Sequence, residues 1–278
     1  MKKYNYKIVV FTDLKESLSN TLKSTLSLAK MINGEIRLFH VKKASDVVNK
    51  ENQLSAIRSI NGEYLEMEKR IKSIVDAFSK DFGMPIKYSF TIGNLKNEIA
   101  HYINEEKPDI IVLGKKKTKL FNLVGDNLIQ FVLDQYDGPI FLTDENNILE
   151  LNNELNLGVL NGDEKSSITG FVKDLLLHSQ KPLTSFKISK IPNIPNIPNI
   201  PKINQESKKR SEIEFVFEEN NNSIQNLSNY LSINQISLLC LNRTNKKRKK
   251  DSITSNISDV IDTLNVPLIL MGPSNNTL

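Results

Sequence analysis

Two clusters of cations are the residues best suited by type and spacing to chemistry. One follows Gly114: Lys115, Lys116, Lys117 and Lys119, running on toward Gly125 and Asp126. The other follows Asn242: Arg243, Lys246, Lys247, Arg248, Lys249 and Lys250. Glycines let a backbone approach phosphate oxygens, and clustered ammonium and guanidinium groups attract polyanions. Neither run is interleaved with aromatic residues, so neither offers bases a stacking platform. The plainer alternative is a solvated lysine loop.

Other reactive side chains suggest little. A single cysteine, Cys240, excludes an internal disulfide, and with three histidines it leaves no zinc cluster. Cys240 stands inside the apolar run Leu238–Leu241 and is expected to be a buried small hydrophobe. His40 ends an apolar run and is expected to be packed or hydrogen-bonded, while His101 and His178 fall on helical patterns. Glu66 and Glu68 fall on the polar face of a long helix, and no pair of carboxylates has an evident catalytic purpose. No catalytic residue, metal site or enzymatic activity is expected.

The elements that must position the two loops follow from hydropathy. Short β-branched runs (Lys7–Thr12, Ile36–Val41, Ile86–Thr91, Ile110–Leu113 and Pro139–Leu142) alternate with helical periodicities. A helix is expected from Asp13 to Ile32, ended by Asn33-Gly34, and a long one through Tyr64, Met67, Ile71, Val75 and Phe82. Alternation of this kind implies parallel pairing with both faces covered. Ligands then bind beyond the carboxyl ends of the strands, where strand order reverses. That points to Thr12-Asp13, Val41 and the residues from Gly114 onward.

The second half repeats the first. Gly114 aligns with Asn242 and Pro139 with Pro267, each at an offset of 128. Ile86 aligns with Ile213 at 127, Phe39 with Phe186 at 147, and Asp13 with Asn161 at 148. About 20 residues are therefore missing between the second and third strands of the second copy. That interval holds Ile191-Pro192-Asn193 repeated through Pro201, whose prolines forbid a helix. An extended strap replacing a covering helix is expected, with a low-complexity insert as the alternative.

The 278 residues carry a formal net charge of +5, and 39% of them are hydrophobic. These values suit a globular chain of two domains. No apolar run reaches the 18 or more residues of a membrane helix, and Met1–Asp13 has no signal-peptide character. A cytoplasmic protein is expected.

The strings Ile8-Val-Val-Phe-Thr-Asp13, Ile36-Arg-Leu-Phe-His-Val41 and Thr91-Ile-Gly93 through Pro108–Gly114 to Gly138–Leu142 resemble, in order and spacing, the universal stress protein family in its tandem form. The resemblance covers residues 1–145 directly and 150–278 only through the internal repeat. It implies two tandem doubly wound α/β domains like the adenine nucleotide alpha hydrolases, at 1–146 and 147–278. The second would lack one covering helix and carry the strap at 190–204. It also implies that the strand-five edges near Ile140 and Leu268 pair.

Nucleotide-binding members of that family carry G-x-x-G-x9-G-(S/T) after strand four. Here Gly114 supplies the first glycine, but Lys117 takes the second position. Gly125 comes 11 residues on instead of 13, and Asp126 replaces the hydroxyl residue. Thr12, Asp13 and Val41 match positions that contact adenine and ribose. The candidate nucleotide or anion cleft is therefore Thr12, Asp13, Val41, Gly114, Lys117, Gly125 and Asp126. No cofactor is expected, ATP in the first domain being the alternative. The resemblance implies a stress-response protein acting by ligand or protein binding. Its expected partners are another protein or a second copy, or else a small anionic or nucleotide ligand, with neither membrane nor nucleic acid.

Overall fold

The computed structural model describes residues 4–43, 53–115, 128–150, 155–161, 171–179, 181–189, 213–243 and 257–272. The chain divides into two compact units. The first contains β1 (Tyr6–Thr12), α1 (Leu18–Ile32), β2 (Gly34–Lys43), α2 (Gln53–Phe82), β3 (Ile86–Gly93), α3 (Leu95–Glu106), β4 (Ile110–Gly114) and α4 (Leu128–Gln135). Its strands run in the order β3-β2-β1-β4, and all pairs given are parallel.

The central strands are apolar on both faces because helices cover both. Ile8, Val9 and Val10 of β1 are fully buried, as are Ile111 and Val112 of β4. Even-numbered residues of β2 lie on one face with α1 and α2, and odd-numbered ones meet α3. Phe39 stacks on Tyr102 with centroids 4.0 Å apart, and Phe11 meets the same ring edge-on at 6.1 Å. On the other face Met67, Ile71 and Val75 form the buried stripe of α2, at the four-residue spacing of one helix face. Helix α1 begins at Leu18, not at Asp13, and Ser17 precedes it without a capping side-chain hydrogen bond.

The second unit contains Lys115, β5 (Ile140–Thr143), β6 (Leu157–Leu160), α5 (Phe171–Leu177), β7 (Thr184–Ser189), β8 (Ile213–Glu218), α6 (Ser223–Ile233), β9 (Leu238–Asn242), α7 (Ile257–Thr263) and β10 (Leu268–Met271). Its strand order is β5-β10-β9-β6-β7-β8. β5 falls in this unit because it pairs antiparallel with β10, symmetrically about Phe141 and Ile269. The edges expected to meet near Ile140 and Leu268 do so. His178 lies just beyond the end of α5, outside the helix expected to carry it.

Strand register corrects the internal alignment by one residue at the first strand and by one residue at the third. At the first, Val10 pairs with Val112 and Val159 with Cys240, so the offset is 149 and not 148. Phe39 pairs with Ser89 in the first unit, and Phe186 pairs with Phe215 in the second. Phe186 is the counterpart of Phe39: it meets Tyr230 of α6 as Phe39 meets Tyr102 of α3. Ser89 therefore corresponds to Phe215, at an offset of 126 and not 127. A slip of one residue moves every side chain of a strand to the other face.

The corrected correspondence has a packing consequence. Phe215 and Phe217 join Phe186 and Tyr230 on the α6 side, with centroids 4.7 and 5.9 Å from the tyrosine ring. The opposite face of the β7–β8 pair then presents Lys187, which bonds Glu214, together with Ser189, Val216 and Glu218. In the first unit that face of β3 is apolar and Phe90 packs on Tyr64 of α2 at 4.5 Å. The second copy thus needs no long helix over β8. The Ile-Pro-Asn repeat expected to cross there lies outside the described residues.

Among the described residues no helix is long and apolar enough to cross a membrane.

Candidate functional site

In the first unit strand order reverses between β1 and β4. Val10 pairs with Val112, so two residues further on Thr12 and Gly114 end their strands side by side. Thr12 also pairs with His40 of β2, which brings Val41 to the same end. Three of the expected cleft residues, Thr12, Val41 and Gly114, thus gather at adjacent strand ends, with Asp13 just beyond. Lys117, Gly125 and Asp126 lie outside the described residues.

The turn that follows β1 is tightly specified. Thr12 Oγ1 accepts from Leu14 N at 2.9 Å, and Asp13 Oδ1 accepts from Lys15 N at 3.1 Å. Asp13 closes this turn by an Asx-type bond instead of capping α1, which starts four residues after Leu14. Leu14 has φ +58°, a left-handed conformation that costs a leucine about 1–2 kcal/mol. It is held there by burial of its side chain and by Arg70 of α2, whose Nη2 donates to Leu14 O at 2.7 Å. Neither Leu14 nor Arg70 was among the expected site residues. Arg70 is one of several cations on α2, and only the folded chain singles it out.

His40 underlies the same turn. The residue is 6% exposed, and Nδ1 lies 2.8 Å from Thr12 O. A bare Nδ1 lone pair facing a carbonyl at that distance would be repelled, so Nδ1 carries the proton and donates. Nε2 is then an acceptor, and it is buried without a hydrogen-bond partner. Burial pushes the imidazole below its ordinary value of 6.5. Lys42 and Arg70 add to that, and the Thr12 carbonyl and Asp13 oppose it.

The expected basic loop is corrected at its first residue. Lys115 is 5% exposed. Its Nζ donates to Leu264 O and Val266 O, each at 2.8 Å, and lies 3.3 Å from Asp144 Oδ2. Its backbone N–H bonds Thr143 O at 2.9 Å. The cation therefore completes the second unit and is not presented to an anion beyond β4.

Arg243 repeats the arrangement after β9. Its backbone N–H and its Nε both donate to Met271 O at 3.1 Å, and Nη2 donates to Gly138 O at 2.7 Å. The pairs Lys115–Thr143 and Arg243–Met271 are 128 residues apart, as the repeat requires. Lys116, Lys119 and Lys246–Lys250 lie outside the described residues. Cys240 is 1% exposed in mid-strand, and burial pushes its thiol up to about 12, so it is not a thiolate nucleophile at neutral pH. The described residues contain no group of histidine, cysteine and carboxylates able to hold a metal ion.

A parallel sheet with candidate residues at its reversal of strand order defines a doubly wound α/β protein. Residues 5–133 match the model of the universal stress protein family. The match lies almost wholly within the first unit, so over those residues the chain is similar to universal stress proteins. It is similar over 98% of its length to a universal stress protein from Archaeoglobus fulgidus DSM 4304, covering 98% of that chain with a TM-score of 0.68 at 12% identity. A protein of unknown function from Pseudomonas aeruginosa PAO1 matches over 96% of this chain and 92% of its own, with a TM-score of 0.55 at 13% identity. These identities speak for the fold alone. No curated protein sequence matches the chain.

Proposed function

We propose that this chain is a universal stress protein that acts by binding and not by catalysis, and that the switch-point crevice of its first unit does not use that family's usual ATP mode. The observation that carries the reading is Lys115. The cation next to Gly114 is bound by Asp144 and two carbonyls, so it is not available to a phosphate chain. The sequence supports the same reading, with Lys117 in place of a glycine and the acidic Asp126 after the last glycine. An aspartate at a helix start suits the helix dipole but repels phosphate.

Calorimetric titration with Mg-ATP tests it, and the expected result is no micromolar binding. Micromolar affinity that is lost in Asp13→Ala or Gly114→Val would overturn it. One observation favours a second reading, in which the crevice does take a nucleotide: Thr12, Val41 and Gly114 gather at adjacent strand ends beside the reversal. That titration decides between the two.

A further inference from the structure

We propose that His40 is a pH-sensitive latch: neutral, it fastens the Thr12–Lys15 turn at the mouth of the crevice, and protonation of its Nε2 releases that turn. The orphaned nitrogen carries the argument. In the neutral ring Nε2 is an unused acceptor, which costs little beyond its own desolvation. Protonation turns it into a cationic donor, buried and with nothing to bond, and that is far more costly. The ring can meet this demand only by rotating toward water. Rotation breaks the bond from Nδ1 to Thr12 O.

The surrounding charges do not rescue the imidazolium. From its own strand comes Lys42, which Glu63 of α2 partly neutralises at 3.6 Å. From α2 comes Arg70, and α1, which packs on β2, carries only Lys23 and Lys30. β3 meets His40 with Phe90, which is uncharged. Beyond β1, Asp13 is the favourable charge, but its carboxylate already serves Lys15.

The turn is built to respond. Leu14 sits in a left-handed conformation that a leucine avoids, so the turn persists only while its contacts hold it. Those contacts are the Thr12 hydroxyl bond, the Arg70 bond to Leu14 O and the buried Leu14 side chain. Loss of the Thr12 anchor removes the fixed end of that set. The turn also carries Thr12 and Asp13, so its release alters the crevice directly.

The test uses the full chain and needs no ligand. Long-range proton–nitrogen spectra of His40 should show an Nδ1-protonated neutral ring at pH 7.5 and a titration midpoint below 6.5. Each unit by which the midpoint falls below 6.5 corresponds to about a tenfold weaker hold of the protonated ring on the closed turn. Corrected for the base-catalysed intrinsic rate, the protection of the Leu14 amide against exchange should fall as His40 becomes protonated, and His40→Phe should abolish that fall. An Nε2-protonated tautomer, a midpoint at or above 6.5, or Leu14 protection that ignores His40 titration would each overturn the proposal. If His40→Phe does not fold, the wild-type spectra and exchange decide alone.

Discussion

Lys115 and Asp144 form an ion pair 3.3 Å apart, with side chains only 6% and 2% exposed. The pair is complete. Two carbonyls satisfy the ammonium, and the carboxylate also accepts from Asn146 N at 3.0 Å and Asn147 N at 3.1 Å. A buried pair gains little over an apolar equivalent, but breaking it strands a charge, at a cost of about 3–5 kcal/mol. Asp144→Ala should therefore destabilise the protein by that amount in urea unfolding. The double substitution Lys115→Met with Asp144→Leu should recover much of the loss, because no buried charge is then left unpaired. A double variant as weak as the single one would show that the carbonyl and turn bonds dominate.

Arg243 makes a related prediction for the second basic cluster. Its guanidinium is engaged with Gly138 O and Met271 O, so it belongs to the fold. Arg243→Gln should lower stability by about 1–3 kcal/mol, the usual cost of leaving buried polar groups unpaired. It should leave retention on heparin unchanged. Capture of a polyanion by this loop must draw on Lys246, Lys247, Arg248, Lys249 and Lys250 instead. Replacing those five with glutamine should lower retention and flatten its dependence on salt. An equal loss from Arg243→Gln alone would return that residue to the binding surface.

Glu35 predicts how stability responds to acid. Burial raises its carboxyl, but hydrogen bonds from Lys87 at 2.6 Å and Arg37 at 2.8 Å outweigh it, and the net displacement is downward from 4.5. A carboxylate lowered in the folded state adds stability that is full above its unfolded value and is lost as pH falls below it. Stability should therefore decline below about pH 4.5, and Glu35→Gln should flatten that limb while changing little in the slope between pH 6 and 8. Urea unfolding at stepped pH measures both. An unchanged acid limb in the variant would assign the loss to other carboxylates.

How much of this was legible in the sequence depends on the range of the interaction. The strands of the first unit were, because each is a local apolar run whose burial on two faces leaves a continuous pattern. Thr12, Val41 and Gly114 were too, since they stand at the ends of those runs. Lys115 was not. Its partners Asp144, Leu264 and Val266 are 29 to 151 residues away, and a lysine beside three others reads locally as solvated. His40 was half legible: its packing was expected, but its unmatched nitrogen depends on the carbonyl of another strand. The third-strand offset was misread by one because matching Ile86 to Ile213 aligns composition, while pairing register obeys the packing of Phe186, Phe215 and Tyr230.

That aromatic cluster sets the last prediction. Gly158 of β6 lies against Phe186, and a Cβ built on it would stand 2.8 Å from the phenylalanine ring and 2.9 Å from Leu239 Cδ1. Both neighbours are fully buried, so neither can swing into solvent to make room. The glycine is therefore required for space and not for an unusual backbone angle. Gly158→Ala should cost about 1–3 kcal/mol, the range for overpacking a filled core, and Gly158→Val should cost more. Adding Phe186→Leu to Gly158→Ala should restore part of the loss, since the smaller side chain vacates the ring position. Urea unfolding of the three variants measures this, with near-ultraviolet circular dichroism reporting on the packing of Tyr230. If Phe186→Leu brings no recovery beyond its own cost, the strain lies against Leu239 instead, and the pairing of β6 with β9 sets the limit on that position.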